Sequence, residues 1–577
     1  MDLDLEQRLL RFLAREEDGE RRTLEEVRAL SVEDRVLEGE CIAARLVAVA
    51  ADGALTLEAE ENLSRFREGD PVLLGDGSDF GAGVSCVYRG FDPGSGRVLL
   101  APDAFATLDT RGLRLGERYC VDRRSLDLRD RLSGVVRDAF ARPALRAVLL
   151  GEAAMAVDPE RAARARERLG ARGLNPAQVE GGALAIGAEN LALVQGPPGT
   201  GKTAVLAEVV AALAGAGCCV ALAAFTHRAV DNALFAIRRV APDLPLCKLG
   251  HGHRIEPELR GAGIRTVRPR GDQLPRRGAV VGGTCHAFAK LNPEERFHYV
   301  VFDEAGQIPI PHALAGMLQA RRWLFFGDHA QLPPVITARH ADPEVTRSVF
   351  ERLHAVHGSH LLDLSYRMND ALCAVVGGAF YGGRLRAAPA AAGRRMPFVP
   401  GGRCDDVLDP ARPAVLARVD HLQPGQRSQE EANLVADLVD EIVRRHGVPP
   451  EEVAVVAPFR AQVRLVRSAL DAAGFAGRER VVVDTVERMQ GQEREVVLVS
   501  LAAGDPDSLH RRAAFFYSTN RLNVSLSRAR TKAILVASRG AFAGLPMEAE
   551  SLRAAATFRR LYRMLPQVDL TAVYGPA

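Results

Sequence analysis

One short segment of the 577-residue chain combines glycines, a lysine and a threonine at a spacing that can hold phosphate. Residues 196–203 fit the pattern GxxxxGK[ST] in full, between a predicted strand at 191–195 and a predicted helix from Ala204. In such a loop, backbone N–H groups close around phosphate oxygens, and the helix N-terminus adds a favourable dipole. The residues predicted to bind nucleotide in this loop are Gly196, Gly199, Thr200, Gly201, Lys202 and Thr203.

The chemistry needs a second group, an acid pair at the end of a neighbouring strand. Asp303 and Glu304 follow the apolar run 300–302 and supply that pair. We predict that Lys202 reaches the β- and γ-phosphates, and that Thr203 and Asp303 hold Mg²⁺. Glu304 is predicted to orient and deprotonate the attacking water. Together the two segments indicate hydrolysis of ATP or GTP, with Mg²⁺ as cofactor.

Arginine replaces lysine almost everywhere in this chain, with 71 arginines against four lysines. A GC-rich coding genome is the simplest cause, which suggests a bacterial source. The lysine at position 202 is therefore informative, because the chain uses arginine wherever arginine would serve.

Bulk composition indicates a soluble, cytoplasmic protein and excludes several classes. The net charge of +2 is too small to imply a nucleic-acid partner, so any basic track must be local. The nine cysteines contain no CxxC pair, which argues against a disulfide scaffold, a zinc site or an iron–sulfur cluster. The apolar stretch 204–225 is interrupted by Gly215 and Gly217, so we predict a buried helix, a turn and a buried strand, and no membrane partner.

Apolar periodicity divides the chain into five predicted segments. Residues 1–40 favour helix, 41–125 contain five short apolar stretches between Gly/Asp turns and favour a small β-barrel, and 126–185 return to helix. Residues 186–345 and 346–577 each alternate predicted strands and helices, which is typical of parallel sheets covered by helices. The chain is thus predicted to be an α/β protein with two such domains in tandem.

Several further segments occur in the order seen in one family of motor enzymes. They are residues 174–178, 224–232, 283–286, 327–334, 365–369, 456–462, 484–493 and 521–530. With the phosphate loop and acid pair, this set resembles superfamily 1 helicases of subgroup B. The group contains the nonsense-mediated-decay RNA helicase, the immunoglobulin mu-binding helicase and the Okazaki-fragment nuclease-helicase. The resemblance implies two RecA-like domains, with a helical stalk and the β-barrel as accessory elements.

The resemblance also implies roles at the nucleotide. Gln178 would read the adenine edge, although a buried or helix-capping glutamine is an alternative at that position. Gln331 would sense the γ-phosphate, Tyr366 would stack on the base, and Arg367 would meet the γ-phosphate. Arg528 would act as the arginine finger. Glu493 would bind ribose or help to link the two sites.

Six residues in the matching segments are implied as nucleic-acid contacts: Thr226, His227, Thr284, Pro334, Arg460 and Thr485. The family usually has Asn where this chain has His227, so that contact departs from the pattern. The basic tract 241–280 is either a source of further phosphate contacts or a solvated loop.

We predict a monomeric ATP-dependent helicase that moves along single-stranded nucleic acid, with DNA favoured and 5′-to-3′ travel implied by the resemblance. Alternatives are a translocase that remodels nucleoprotein complexes without unwinding, an RNA helicase, and an ATP-regulated clamp with negligible turnover. A fused nuclease would need an acid–acid–lysine cluster that is not evident in the sequence. Protein partners are not predicted.

Overall fold

The computed structural model describes residues 4–576 apart from a set of short gaps. The gaps are residues 52, 61, 67–68, 93, 103–111, 125–128, 251–256, 269–271, 293–295, 424–425, 476–480 and 490. The chain forms two helices, a closed barrel, a second helical segment and two large parallel sheets.

The N-terminal segment is helical, as predicted. Its helices are α1 (Leu5–Arg28) and α2 (Val32–Leu37), and the side chains of Asp4 and Ser31 cap their N-termini. The apolar side of α1 is buried through Leu9 and Phe12 in the same core as the first large sheet.

The predicted β-barrel is present and closed, with strand order β1-β2-β5-β4-β3-β6. Its strands are β1 (Cys41–Val49), β2 (Leu55–Glu58), β3 (Pro71–Gly75), β4 (Val84–Asp92), β5 (Arg97–Pro102) and β6 (Arg118–Arg123). The five predicted stretches correspond to β1–β5. Strand β6 was missed because its charged residues, including Asp122, hide the apolar alternation. It closes the barrel by pairing with β1 and β3.

Four helices connect the barrel to the first sheet. They are α3 (Arg129–Phe140), α4 (Pro143–Leu150), α5 (Pro159–Gly170) and α6 (Pro176–Gly187). Asp158 and Asn175 cap α5 and α6, each followed by a proline in the first turn, so both helix starts are encoded locally.

The first large sheet has eight parallel strands in the order β10-β9-β11-β8-β12-β13-β7-β14, and we call it with its helices the first unit. Its elements are β7 (Leu191–Gln195), α7 (Lys202–Gly215), β8 (Cys219–Ala224), α8 (His227–Val240), β9 (Leu246–Leu249), α9 (Pro257–Gly261), β10 (Arg265–Val267), β11 (Ala279–Thr284), α10 (Cys285–Phe288), β12 (Tyr299–Phe302), α11 (Ile310–Met317), β13 (Trp323–Gly327), α12 (Pro343–Thr346), α13 (Val349–His357) and β14 (His360–Leu361).

The second sheet has six parallel strands in the order β19-β18-β20-β21-β17-β22, and we call it with its surroundings the second unit. Its elements are β15 (Leu364–Ser365), α14 (Asp370–Phe380), β16 (Arg386–Ala387), α15 (Pro389–Ala392), α16 (Asp405–Leu408), β17 (Ala414–Arg418), α17 (Gln429–Asp440), β18 (Val453–Val456), α18 (Arg460–Ala472), β19 (Val482–Asp484), β20 (Arg494–Ser500), α19 (Pro506–Leu509), α20 (Ala513–Phe516), α21 (Thr519–Leu526), β21 (Ala529–Ala537), α22 (Gly540–Ala543), α23 (Ala549–Met564), β22 (Gln567–Asp569) and α24 (Thr571–Tyr574).

The boundary between the two units lies later than the predicted position after residue 345. Strand β14 pairs with β7, and Val349 and Phe350 of α13 are buried in the core of the first unit. The first unit therefore continues to Leu361. A two-residue edge strand gives almost no periodic signal, which explains the error.

The basic tract 241–280 forms two strands near one edge of the first sheet, as well as loops. Strands β9 and β10 extend the first sheet through parallel pairing with β11 and with each other. Lys248 is buried and lies 2.5 Å from Asp231, so it is not a solvated cation. The tract's His251, His253, Arg254 and Arg270 lie outside the described residues.

The apolar stretch near 204–225 forms helix α7, a turn and strand β8, as predicted. Among the described residues, no helix has the length and apolar character needed to cross a lipid bilayer. The nine cysteines are all free thiols.

Candidate nucleotide site and nucleic-acid channel

The phosphate loop lies between the end of β7 and the start of α7. Gly199 and Gly201 have φ values of 74° and 76°, a left-handed conformation that glycine adopts without steric cost. A Cβ added at Gly199 would lie 2.5 Å from the Cβ of Arg367, so only glycine allows the second unit to approach this closely. The Thr200 hydroxyl donates to the carbonyl of Pro197 over 2.7 Å and fixes the turn.

The loop lysine meets the acid pair directly. Lys202 Nζ lies 2.8 Å from Glu304 Oε1 and 3.5 Å from Asp303 Oδ1. Burial alone would lower the pKa of Lys202, but the two carboxylates outweigh burial and raise it, so the ammonium stays charged. The structure therefore brings together the three side chains that the sequence analysis assigned to phosphate, metal and water.

The two acids differ in their electrostatic surroundings. Burial raises the pKa of Asp303, while Lys202 opposes that rise. Burial also favours a higher pKa for Glu304, but Lys202 and then Arg528 hold the pKa of Glu304 below its ordinary value. Glu304 has a φ of 51°, which is left-handed for a residue with a Cβ. Such conformations cost on the order of 1–3 kcal/mol and cluster at functional sites.

Gln178 sits at the other end of the loop, within the first turn of α6. Asn175 and Gln178 form a reciprocal capping box, in which Gln178 Oε1 accepts from the Asn175 backbone N–H. Gln178 Nε2 donates to the Thr200 carbonyl over 2.9 Å. Both amide atoms are thus engaged in holding the helix start and the phosphate loop. A role of Gln178 at adenine stays a prediction.

The second unit contacts the phosphate loop through residues 365–367. The Ser365 hydroxyl donates to the Pro198 carbonyl over 2.9 Å, and the Tyr366 N–H donates to the Gly199 carbonyl over 2.8 Å. The Tyr366 ring is 42% exposed, and its hydroxyl accepts from Asn175 Nδ2. An exposed ring fixed beside the loop is available for stacking on a base.

Two arginines of the second unit face the same cleft. Arg367 Nε lies 2.7 Å from Glu493 Oε2, and Arg367 also donates to the Ser527 carbonyl. Arg528 is 2% exposed and donates to the carbonyls of Val524 and Gln492. Burial, followed by the charge of Arg367, lowers the pKa of Arg528.

Gln331 follows β13 and borders the phosphate loop. Its Nε2 donates to Asp328 Oδ2 over 2.8 Å and lies 3.5 Å from the Gly196 carbonyl. The Gln331 side chain therefore lies close to the position at which the phosphate loop would hold a terminal phosphate. All six residues predicted to be catalytic surround this cleft.

A second feature is a large cavity of about 1810 Å³ between the barrel, the first unit and the second unit. Its arginines include Arg65 and Arg123 from the barrel and Arg460, Arg464, Arg488 and Arg512 from the second unit. Burial and then the charges of Arg65 and Arg488 lower the pKa of Arg460, so cationic groups face one another here. We call this cavity the channel.

The channel includes only part of the predicted nucleic-acid contacts. Arg460 and Thr485 line it. Thr226 and Thr284 instead cap α8 and α10 through their hydroxyls, and Pro334 is buried while its neighbour Val335 lines the channel. His227 lies beside the barrel, 3.4 Å from a Cβ built on Gly69.

Two further channel residues are His286, which lies in the predicted segment 283–286 but was not among the predicted contacts, and His312, which sequence reasoning missed. Their rings lie 4.8 Å apart at 88°, and both line the channel beside Phe225. Burial lowers the pKa of His286 to about 4 and that of His312 well below its ordinary value. They come from α10 and α11, and no spacing in the sequence connects them.

Comparison with known proteins shows which families and proteins this chain is similar to. Two models, each described as an AAA domain, match residues 173–388 and 345–540. A DNA replication ATP-dependent helicase/nuclease of Arabidopsis thaliana is 27% identical over 384 residues, covering 62% of this chain and 28% of that protein. The Saccharomyces cerevisiae protein of the same description is 29% identical over 394 residues, covering 62% of this chain and 25% of that protein.

Among solved structures, an arterivirus nonstructural protein 10 (helicase) has a TM-score of 0.40 and 15% identity, with 85% of this chain and 78% of that chain covered. A TM-score of this size does not establish a common fold. The chain spans about a quarter of the length of the two curated relatives. The two matches to AAA domains together span the phosphate loop, the acid pair and both arginines. The chain is thus similar, over these residues, to AAA domains and to ATP-dependent helicase/nucleases.

Proposed function

We propose that this protein hydrolyses ATP to move along single-stranded DNA and to separate duplex strands. The observation that carries the proposal is the junction of the two units at the phosphate loop. Ser365 and Tyr366 bind the loop backbone, while Arg367 and Arg528 face the cleft from the same side. Hydrolysis would then require both units to be in place.

The cleft residues fit ATP with a divalent cation. The Thr203 hydroxyl and the Asp303 carboxylate are hard oxygen ligands of the kind that Mg²⁺ favours, and they would hold the ion, whose charge would help to neutralise the phosphates. Lys202 would hold the phosphates, and Glu304, which keeps its negative charge beside Lys202, would accept a proton from the attacking water. Arg367 and Arg528 would stabilise charge in the transition state from the opposite unit.

The two-unit arrangement suggests how hydrolysis produces movement. We propose that the two units are tandem RecA-like domains, that α3–α6 form the stalk of the barrel, and that the channel holds the strand. Closure of the cleft around ATP and its reopening would then change the grip of each unit in turn. Travel from 5′ to 3′ stays a prediction from the family resemblance.

DNA is the favoured track because the curated relatives are described as DNA replication helicases. An RNA helicase and a translocase without unwinding activity are the alternatives that the experiment below separates. A bacterial source, a cytoplasmic location and a monomeric state also stay predictions, and the two relatives come from a plant and a yeast.

The test is ATP hydrolysis by the purified protein with and without single-stranded DNA or RNA, followed by displacement of a labelled strand. We expect strong stimulation by DNA, duplex separation, and a loss of about 10²-fold or more in kcat for Glu304→Gln. Stimulation by RNA alone would indicate that the protein moves along RNA. Stimulation without strand displacement would favour the translocase. ATP hydrolysis that neither DNA nor RNA stimulates would contradict the proposal. It would support only the assignment of the nucleotide site.

A further inference from the structure

One buried carboxylate lies between the phosphate loop and the second unit. Asp328, at the end of β13, is 3% exposed and accepts four hydrogen bonds. Three come from its own unit: Gln195 Nε2 at 3.0 Å and the Ala330 N–H at 3.2 Å reach Oδ1, and Gln331 Nε2 at 2.8 Å reaches Oδ2. The fourth comes from across the interface.

That fourth donor is Tyr381, the residue that ends α14 in the second unit. Its hydroxyl donates to Asp328 Oδ2 over 2.7 Å, while its ring packs in the core of the second unit. Burial, and then the charge of Asp328, raise the pKa of Tyr381 well above its ordinary value, so the hydroxyl remains a donor. Gln331 and Tyr381 thus share one carboxylate oxygen.

The same interface reaches the helix that precedes the proposed arginine finger. Asn523 Nδ2 donates to the Tyr381 hydroxyl over 2.8 Å and to the Ala330 carbonyl over 2.7 Å. Asn520 Nδ2 donates to the His329 carbonyl over 2.8 Å and also to the Gln331 carbonyl. Both asparagines lie in α21, and Arg528 follows that helix by two residues.

We propose that Tyr381 is a positioning residue that couples occupancy of the γ-phosphate position to the placement of α21 and Arg528. This inference rests on the proposed function. When a terminal phosphate draws the Gln331 amide away, Asp328 Oδ2 keeps Tyr381 as its remaining side-chain donor. Because a charged acceptor with fewer donors binds each one more strongly, the bond between the units tightens. The network then holds α21 against residues 328–331.

The chain offers a matched control for this bond. Tyr517 is also buried, at 2% exposure, and its hydroxyl donates to the Ala541 carbonyl within the second unit. Tyr381→Phe and Tyr517→Phe each remove one buried hydroxyl, but only the first removes a contact between the units. A general loss of stability affects both variants, whereas a loss of coupling affects only Tyr381→Phe.

The experiment measures kcat and KM for ATP in wild type and both variants, with and without saturating single-stranded DNA. We expect Tyr381→Phe to keep the KM for ATP within about twofold and to lose about tenfold of kcat both with and without DNA, the size of one hydrogen bond to a charged group. Tyr517→Phe should keep the wild-type kcat. An unchanged kcat in Tyr381→Phe, or an equal loss of kcat in Tyr517→Phe, would overturn the proposal.

A second measurement needs no nucleic acid and separates this inference from the proposed function. Hydrogen–deuterium exchange follows α21 with and without a non-hydrolysable ATP analogue. The analogue should increase protection of α21 in wild type and in Tyr517→Phe but not in Tyr381→Phe. That pattern supports the relay even if DNA does not stimulate the wild type, in which case only the proposed function fails. The same protection in Tyr381→Phe would overturn the relay.

Discussion

The nucleotide cleft and the channel differ in how their positive and negative groups are balanced. In the cleft, cations are matched to anions at short range, as in the pairs Lys202–Glu304 and Arg367–Glu493. In the channel some arginines also pair with acids, as in Arg65–Glu40, but burial and then the charges of Arg65 and Arg488 lower the pKa of Arg460. The cleft is therefore preorganised within the protein, whereas in the channel we expect the phosphates of a bound strand to offset the repulsion at Arg460.

This difference determines how each region should respond to mutation. A preorganised cleft depends on individual groups at fixed positions, so one substitution has a large effect on rate. A cationic channel binds through many similar contacts, so single substitutions have small effects that add together and depend on salt. The predictions below would sharpen or break this contrast.

The largest effect is expected for Arg528→Lys. The substitution keeps a positive charge but loses the planar fork of the guanidinium, so DNA-stimulated kcat should fall by about 10³-fold. The matched control is Arg559→Lys, which alters an arginine that also donates to backbone carbonyls but lies away from the cleft. Steady-state ATP hydrolysis provides the measurement. Equal activity in the two variants would remove Arg528 from the catalytic group.

An intermediate effect is expected in the channel. Replacement of Arg460, Arg464 and Arg488 by Ala should weaken binding of single-stranded DNA by roughly tenfold or more. The slope of the logarithm of the binding constant against the logarithm of the salt concentration should also become less steep, by about 0.7 per lost phosphate contact. Basal ATP hydrolysis should change little. Fluorescence anisotropy at several salt concentrations measures both quantities.

The control triple variant replaces Arg137, Arg553 and Arg563, which are exposed and do not line the channel. It removes the same net charge. Equal weakening in both triples would mean that overall charge, and not the channel, attracts the strand.

The last effect, on stability and not on activity, concerns His286 and His312. Both have lowered pKa values in the folded state because of burial, and that of His286 is about 4. The unfolded chain therefore binds protons first as pH falls below about 6.5, and stability decreases between there and pH 4. At pH 5 the loss relative to pH 7 should be roughly 2 kcal/mol for each of the two histidines. Urea unfolding at several pH values measures it.

A His286→Gln/His312→Gln variant should lose much of this pH dependence, whereas His510→Gln should retain it. His510 also lines the channel but is exposed. An unchanged pH profile in the double variant would mean that the two buried histidines do not titrate as their burial indicates.

Local sequence predicted much of the nucleotide half of the protein. Residues 196–203 and 303–304 lie beside buried strands, and such strands read as continuous apolar runs. Alternating strands and helices were predicted for both sheets, whereas β9, β10, β14, β17 and β22 were not identified, and three of these, β10, β14 and β22, lie at sheet edges. Edge strands are short or carry polar residues, so their periodic signal is weak.

Only the tertiary structure decided which distant residues meet. The sequence determined the phosphate loop, the acid pair and the order of the family segments, because each depends on neighbours along the chain. It did not reveal the sharing of Asp328 by Gln331 and Tyr381, or the pairing of His286 with His312. Those contacts join separate elements, and their specificity comes from burial and packing, which no local spacing encodes.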